Sequence, residues 1–198
     1  VVRRMSCTGR TLGDGRRDLW PRAWHHSRHV PVHHAIPSRP VNRRTALIAL
    51  ALAQFIMVLD QSVMNVSISQ LVVDFDTTVT TIQAVITLYC LVMAMLMLTG
   101  AKVGDIIGRR RAFVVGLVVY ACGSALTAVS QSVAVLALGW SVLEGVGAAL
   151  VLPALAALIA GNFDGTDRKR AYAVIGGVAG AGIAIGPILG GWATTELT

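Results

Sequence analysis

Residues Thr77–Ala101, TTVTTIQAVITLYCLVMAMLMLTGA, hold twenty-five positions without a charge, and Lys102 closes the run. As an α-helix rising 1.5 Å per residue the stretch is about 37 Å long, enough to cross a hydrocarbon core of about 30 Å with some tilt. Backbone groups left unpaired in hydrocarbon cost several kcal/mol each, so the run is predicted to be helical throughout.

Similar runs lie on either side. Residues 46–69 are interrupted by Asp60 alone. From Ala112 to Phe163, Glu144 is the one charge in fifty-two residues, a length that the polar trio Ser130-Gln131-Ser132 divides at a tight turn. A last run extends from Ala171 to Thr195. The fold expected is therefore all-α, a polytopic membrane bundle within residues 45–198. Its five transmembrane helices fall near 46–69, 77–101, 112–130, 133–157 and 171–195.

Beyond residue 44 every cation lies in one of two clusters, Lys102 with Arg109, Arg110 and Arg111, then Arg168, Lys169 and Arg170. The alternate connections carry Asp74 and Asp76, then Ser130 to Ser132, then Glu196, without Lys or Arg. Positive and non-positive connections alternate, which is the positive-inside pattern. It predicts a multi-pass protein of the cytoplasmic membrane with its N-terminus and both basic clusters in the cytoplasm, and the lipid bilayer as its first partner. The net charge of +7 would suggest a nucleic-acid partner in a soluble protein. Here the excess comes from ten Arg in the first 44 residues, and the remainder has seven cations against eight acids, so no nucleic acid is expected.

Residues 1–44 read as a basic, disordered tail. They hold all five His, but no Cys or acid stands at ligand spacing, so no metal site is expected. No apolar segment there resembles a secretory signal. Cys7, Cys90 and Cys122 imply no disulfide framework, and the latter two read as small hydrophobes inside membrane runs. With no nucleophile–base pair or metal cluster legible, no enzymatic activity is expected.

Asp60 carries the strongest chemical signal. An acid in mid-membrane costs at least about 2.5 kcal/mol on insertion scales and is seldom there without a partner or a task. It reads as a site for a proton or a cationic substrate, against an alternative role in packing a hydrated cavity. Gln54, Gln61, Ser62, Asn65 and Ser69 give the same helix a polar stripe, in which Gln61, Asn65 and Ser69 recur every four residues. Glu144 is the second membrane acid, with no cation at its depth; a neutral hydrogen-bonding role and proton coupling both remain open for it.

Residues 100–111 read as a connecting loop, with Gly100, Gly104 and Gly108 for a tight turn, Asp105 to cap a helix, and cations at headgroup level. A purely topogenic charge cluster is the plainer alternative. In the last run Gly182, Gly186 and Gly190 repeat every four residues, so one face is nearly bare backbone for helix packing. Pro187 beside Gly186 invites a kink. Gly186→Leu is expected to block that packing and Gly186→Ala to be much milder.

Taken in order, these pieces resemble the major facilitator superfamily, and within it the fourteen-helix drug–proton antiporters. Residues 59–66, LDQSVMNV, are similar to the first-helix motif L-D-x-T-V-V-N-V-A-L-P, and residues 101–110 to the loop motif G-x-L-A-D-R-x-G-R-R. Residues 145–149, GVGAA, are similar to the end of the fourth-helix motif R-x-x-Q-G-x-G-A-A, and residues 182–191 to the antiporter motif G-x-x-x-G-P-x-x-G-G. The sequence departs at Ala101, Ile106 and Ser69, where the motifs have Gly, Arg and Pro. It departs further at Ser141 and Glu144, where they have Arg and Gln. The resemblance ties that Arg to proton transfer.

The resemblance implies proton-coupled efflux of drugs or other small molecules, driven by the proton gradient without a bound cofactor. It implies Asp60, Asn65 and Glu144 as proton- or substrate-binding residues. Gly104, Asp105, Gly108, Arg109 and Arg110 would form a cytoplasmic gating loop. Gly182, Gly186, Pro187, Gly190 and Gly191 would form a close-packed antiporter bend. Five helices cannot build the two six-helix halves of such a transporter. The expectation is an N-terminal portion that works with a missing C-terminal half; the alternative is a truncated or accessory membrane protein without transport of its own.

Overall fold

In the computed structural model the described residues run from 42 to 196, with side chains described through Ala193. The basic tail and Cys7 lie almost wholly outside them. The elements are α1 (Arg43–Val66), α2 (Ile68–Asp74), α3 (Val79–Ile107), α4 (Arg109–Ala128), α5 (Val133–Leu136), a π-helix (Ala137–Glu144), α6 (Gly145–Asn162) and α7 (Gly165–Glu196). No strand occurs among the described residues. Among the described residues five helices of 20 to 30 residues are long and apolar enough to span a membrane, with α5, the π-helix and α6 forming one continuous fourth span.

Local chemistry sets the starts. Asn42 Oδ1 accepts from the Arg44 amide at 3.2 Å, Thr78 Oγ1 from Thr81 at 3.3 Å and Ser132 Oγ from Val135 at 3.4 Å. Each satisfies an amide that a helix N-terminus leaves unpaired.

Several ends differ from expectation. The first span stops at Val66, and residues 68–74 continue as the short α2. The second span extends to Ile107, so residues 101–107 are helix and not loop. Nothing in that stretch breaks a helix, and Gly104 is buried, with space for a Cβ that would meet Ala112 at an ordinary 3.6 Å. The connection to α4 is Gly108 alone, at φ +96, a conformation that favours glycine. Gly100, assigned above to the turn, is instead a packing residue: its face lies directly on the backbone of Ala149 and Leu150. The fifth span starts at Gly165, which places Arg168, Lys169 and Arg170 in its first turns.

Packing divides the spans into two groups. α1 pairs extensively with α7, while α3 and α4 pack on the fourth span, and the groups meet sparsely. The seam between α4 and the fourth span is built on glycine. A Cβ on Gly147 would lie 2.9 Å from the Gly116 carbonyl, and one on Gly139 would lie 3.0 Å from the Gly123 carbonyl. Backbones touch there, as small residues permit in membrane bundles. Large apolar side chains such as Leu98 and Ile188 point outward at 81% and 70% exposure, the distribution expected where lipid is the solvent.

Candidate functional site

The site forms where the two helix groups touch. Asp60, on α1, is half-buried, and its Oδ2 accepts from the Tyr120 hydroxyl of α4 at 2.8 Å and from the Trp140 indole N–H of the π-helix at 3.2 Å. Trp140 is fixed in turn by Tyr89 of α3, whose ring stacks on it with centroids 4.8 Å apart. Next along the π-helix, Ser141 Oγ donates to the Val85 carbonyl at 2.7 Å. Glu144 closes the π-helix, and among the described residues it and Ser141 are the polar ones buried to 0% exposure. A π-helical stretch is rare and frequently marks a functional site. Here it presents Trp140 and Glu144, one turn apart, to the interior. Gly123 opposite makes the room, since a Cβ there would sit 2.7 Å from Glu144 Cγ.

A cleft of about 650 Å³ opens beside Asp60 between α1 and α4, walled by Leu52, Ile56, Met57, Leu117 and Ala121 among others. Asp60 is the one charged residue in its wall. An apolar hollow with a single carboxylate at its edge suits a lipophilic guest carrying a positive charge.

The structure thus brings Asp60 and Glu144 to one locus and leaves Asn65 out. The Asn65 amide turns back to the Gln61 carbonyl of its own helix at 2.8 Å and is exposed. Ser62, from the same polar stripe, donates instead to the Ile183 carbonyl of α7 at 3.2 Å. Tyr120 and Trp140 were not singled out from the sequence. Their signal was present: a buried Tyr hydroxyl or Trp N–H in an aliphatic span needs an acceptor, and few polar residues were available.

At the end of the bundle that bears the basic clusters, Asp105 and Arg109 form an exposed pair at 3.5 Å, one helical turn apart across Gly108. Asp105 does not cap α4, whose first turn lacks a side-chain cap. Arg109 also donates to the Ala157 carbonyl of α6 at 3.3 Å, while Arg110 is exposed. In the second cluster Arg168 donates to the Phe163 carbonyl at 2.8 Å and to that of Ala160 at 2.9 Å, capping the C-terminal end of α6. Both clusters therefore hold helix ends as well as carrying charge.

Gly182, Gly186 and Gly190 face α1. A Cβ on Gly182 would lie 3.2 Å from Val58 Cγ1 and one on Gly190 3.4 Å from Val66 Cβ, while one on Gly186 would collide with Ser62 Cβ and Oγ. A single methyl at 186 therefore already meets Ser62 of α1. Pro187 is exposed, and a Cβ at Gly191 would meet nothing within 4 Å, so these two are not part of the packed ridge. α7 runs through Pro187 without a break.

A family model described as Major Facilitator Superfamily matches residues 50–198. The chain belongs to the major facilitator superfamily. Among curated members, a puromycin resistance protein of Streptomyces alboniger is 37% identical over 170 residues, covering 85% of this chain and 34% of that protein. The multidrug efflux pump LfrA of Mycolicibacterium smegmatis is 35% identical over 153 residues, 77% of this chain and 30% of the pump. A riboflavin transporter of Clostridioides difficile is 29% identical over 145 residues, 73% of this chain and 32% of the transporter. The chain spans about a third of the length of these superfamily members.

Among the described residues no group of three His, Cys, Asp or Glu is placed to hold a metal, and Cys90 and Cys122 are free thiols.

Proposed function

We propose that this chain supplies the first helices of a proton-coupled exporter of drugs or other small molecules, set in the cytoplasmic membrane with its N-terminus inside. The observation that carries this reading is Asp60, held in mid-membrane by Tyr120 and Trp140 at the edge of an apolar cleft. The functions of the three relatives named above, resistance, efflux and transport, support it. The alternation of basic and non-basic connections supports the orientation. The proton gradient is the energy source, no bound cofactor or enzymatic step is involved, and a second half of the transporter is the partner.

The chemistry follows from the hydrogen bonds. Donors to a carboxylate are about twice as strong as donors to a neutral acceptor. Ionised Asp60 therefore holds α1 to α4 and to the π-helix. A proton on Asp60 weakens both contacts and lets the α1–α7 pair move against the other three spans, which is the kind of rocking that alternates access. Gly104, Asp105, Gly108, Arg109 and Arg110 form the inner gate, and the ridge of Gly182, Gly186 and Gly190 is the surface on which α1 and α7 move together.

The test is Asp60→Asn in the transporter that contains this chain, assayed in inverted vesicles for drug transport and substrate-induced proton release. Transport should be lost while the protein still inserts and accumulates. Full proton-driven transport by the variant would remove Asp60 from the mechanism.

A further inference from the structure

The fourth span changes company at Pro153. Before it, α6 is gripped by the two helices of its own group. A Cβ on Gly116 of α4 would lie 2.8 Å from Val151 Cγ2 and 2.9 Å from Leu150 Cβ, and one on Gly100 of α3 would overlap the Ala149 carbonyl oxygen. After it, the directional bonds go mostly to α7. Arg168 donates to the carbonyls of Phe163 and Ala160, and the Tyr172 hydroxyl donates to that of Ala156 at 3.1 Å. One bond runs back to α4, from Arg109 to the Ala157 carbonyl at 3.3 Å. Two buried side chains of this stretch, Leu155 and Ile159, are aliphatic and hold no bond of fixed direction.

Proline interrupts the helix at that place. Pro153 stands inside α6 and has no N–H, so the carbonyl four residues back, that of Ala149, loses its helical donor. Ala149 is 1% exposed, out of reach of water. The bare Cα of Gly100 lies on its oxygen, and Cα–H groups are weak donors at helix crossings. Neighbouring helices re-satisfy backbone groups freed by a membrane proline in this way. A carbonyl covered from outside its own helix does not hold α6 straight.

The connection to α7 adds the load. Only Phe163 and Asp164 separate α6 from α7. Any displacement of α7 therefore pulls on the last turns of α6, and they yield where the hydrogen bond is missing. We propose that Pro153 is a hinge in the fourth span: α6 up to Val151 stays with α3 and α4, while residues 154–162 travel with α7. The inference deepens the transport reading, because it names the place where the fourth span gives way when the α1–α7 pair moves. The hinge itself is measured without transport.

The experiment is double electron–electron resonance on the purified whole chain in lipid nanodiscs, carrying Cys7→Ser and Cys90→Ser. The first pair of spin labels, on native Cys122 of α4 and on Gly161→Cys, straddles the hinge. The second, on Gly161→Cys and Gly176→Cys with Cys122→Ser, links the last turns of α6 to α7. Cys122 is exposed and a Cβ at Gly161 or Gly176 meets nothing within 4 Å, so labels fit at all three. The expected result is a wider distance distribution for the first pair than for the second. Pro153→Ala restores the N–H and should narrow the first distribution to the width of the second. Equal widths with Pro153 in place overturn the hinge, and so does a second distribution wider than the first; neither result needs Pro153→Ala to fold. A first distribution unchanged by Pro153→Ala, with helix content unchanged by circular dichroism, overturns it as well. The expected widths in a protein that moves no substrate would uphold the hinge and count against the transport reading; equal widths in an active exporter would do the reverse.

Discussion

The Tyr120 hydroxyl of the third span lies 2.8 Å from Oδ2 of Asp60 in the first, and this contact joins two helix groups that otherwise meet sparsely. A hydrogen bond to a charged group contributes about 1.5–3 kcal/mol. Tyr120→Phe removes the hydroxyl and keeps the ring, so the chain should lose about 2 kcal/mol of stability near neutral pH. Reversible unfolding in mixed micelles measures the loss. An unchanged unfolding midpoint at neutral pH would mean that the hydroxyl holds nothing together.

The ridge on α7 predicts an order of tolerance. Gly186→Ala forces a methyl onto Ser62, and relieving it by moving backbone costs about 1–3 kcal/mol. Gly190→Ala should cost less, since its nearest neighbour would be Val66 Cβ at 3.4 Å. Gly186→Leu should prevent α1 and α7 from pairing. The same unfolding assay ranks the three variants. Alanine tolerated better at 186 than at 190 would contradict the packing of α7 on α1.

Orientation is tested by labelling. Ile106 and Gln131 are exposed near opposite ends of the bundle. In a background lacking the three native Cys, Gln131→Cys should react with an impermeant thiol reagent in intact cells and Ile106→Cys should not. The reverse pattern would invert the topology.

The five spans were legible because lipid imposes a crude and strong filter: long charge-free runs, with cations confined to alternate ends. The ridge on α7 was legible because a four-residue period survives in sequence. The partners of Asp60 were not, since Tyr120 and Trp140 lie sixty and eighty residues away and nothing local fixes how neighbouring helices are rotated about their axes. The π-helix from Ala137 to Glu144 has no composition of its own. Asn65 misled for the same reason in reverse: the stripe's period was read correctly, but its amide is satisfied by its own backbone. The long α3 was missed because charge was taken as a helix boundary, while Lys102 and Asp105 are compatible with a helix that reaches headgroup level.

The one-residue link at Gly108 bears on how the chain is made. α3 and α4 are joined with no slack, and the joint is surrounded by Lys102, Arg109, Arg110 and Arg111. With one residue between them, neither helix can shift far without carrying the other's end with it. The two helices thus make one hairpin with a cationic tip, and the glycine seam to the fourth span needs both of its helices in place before it can close.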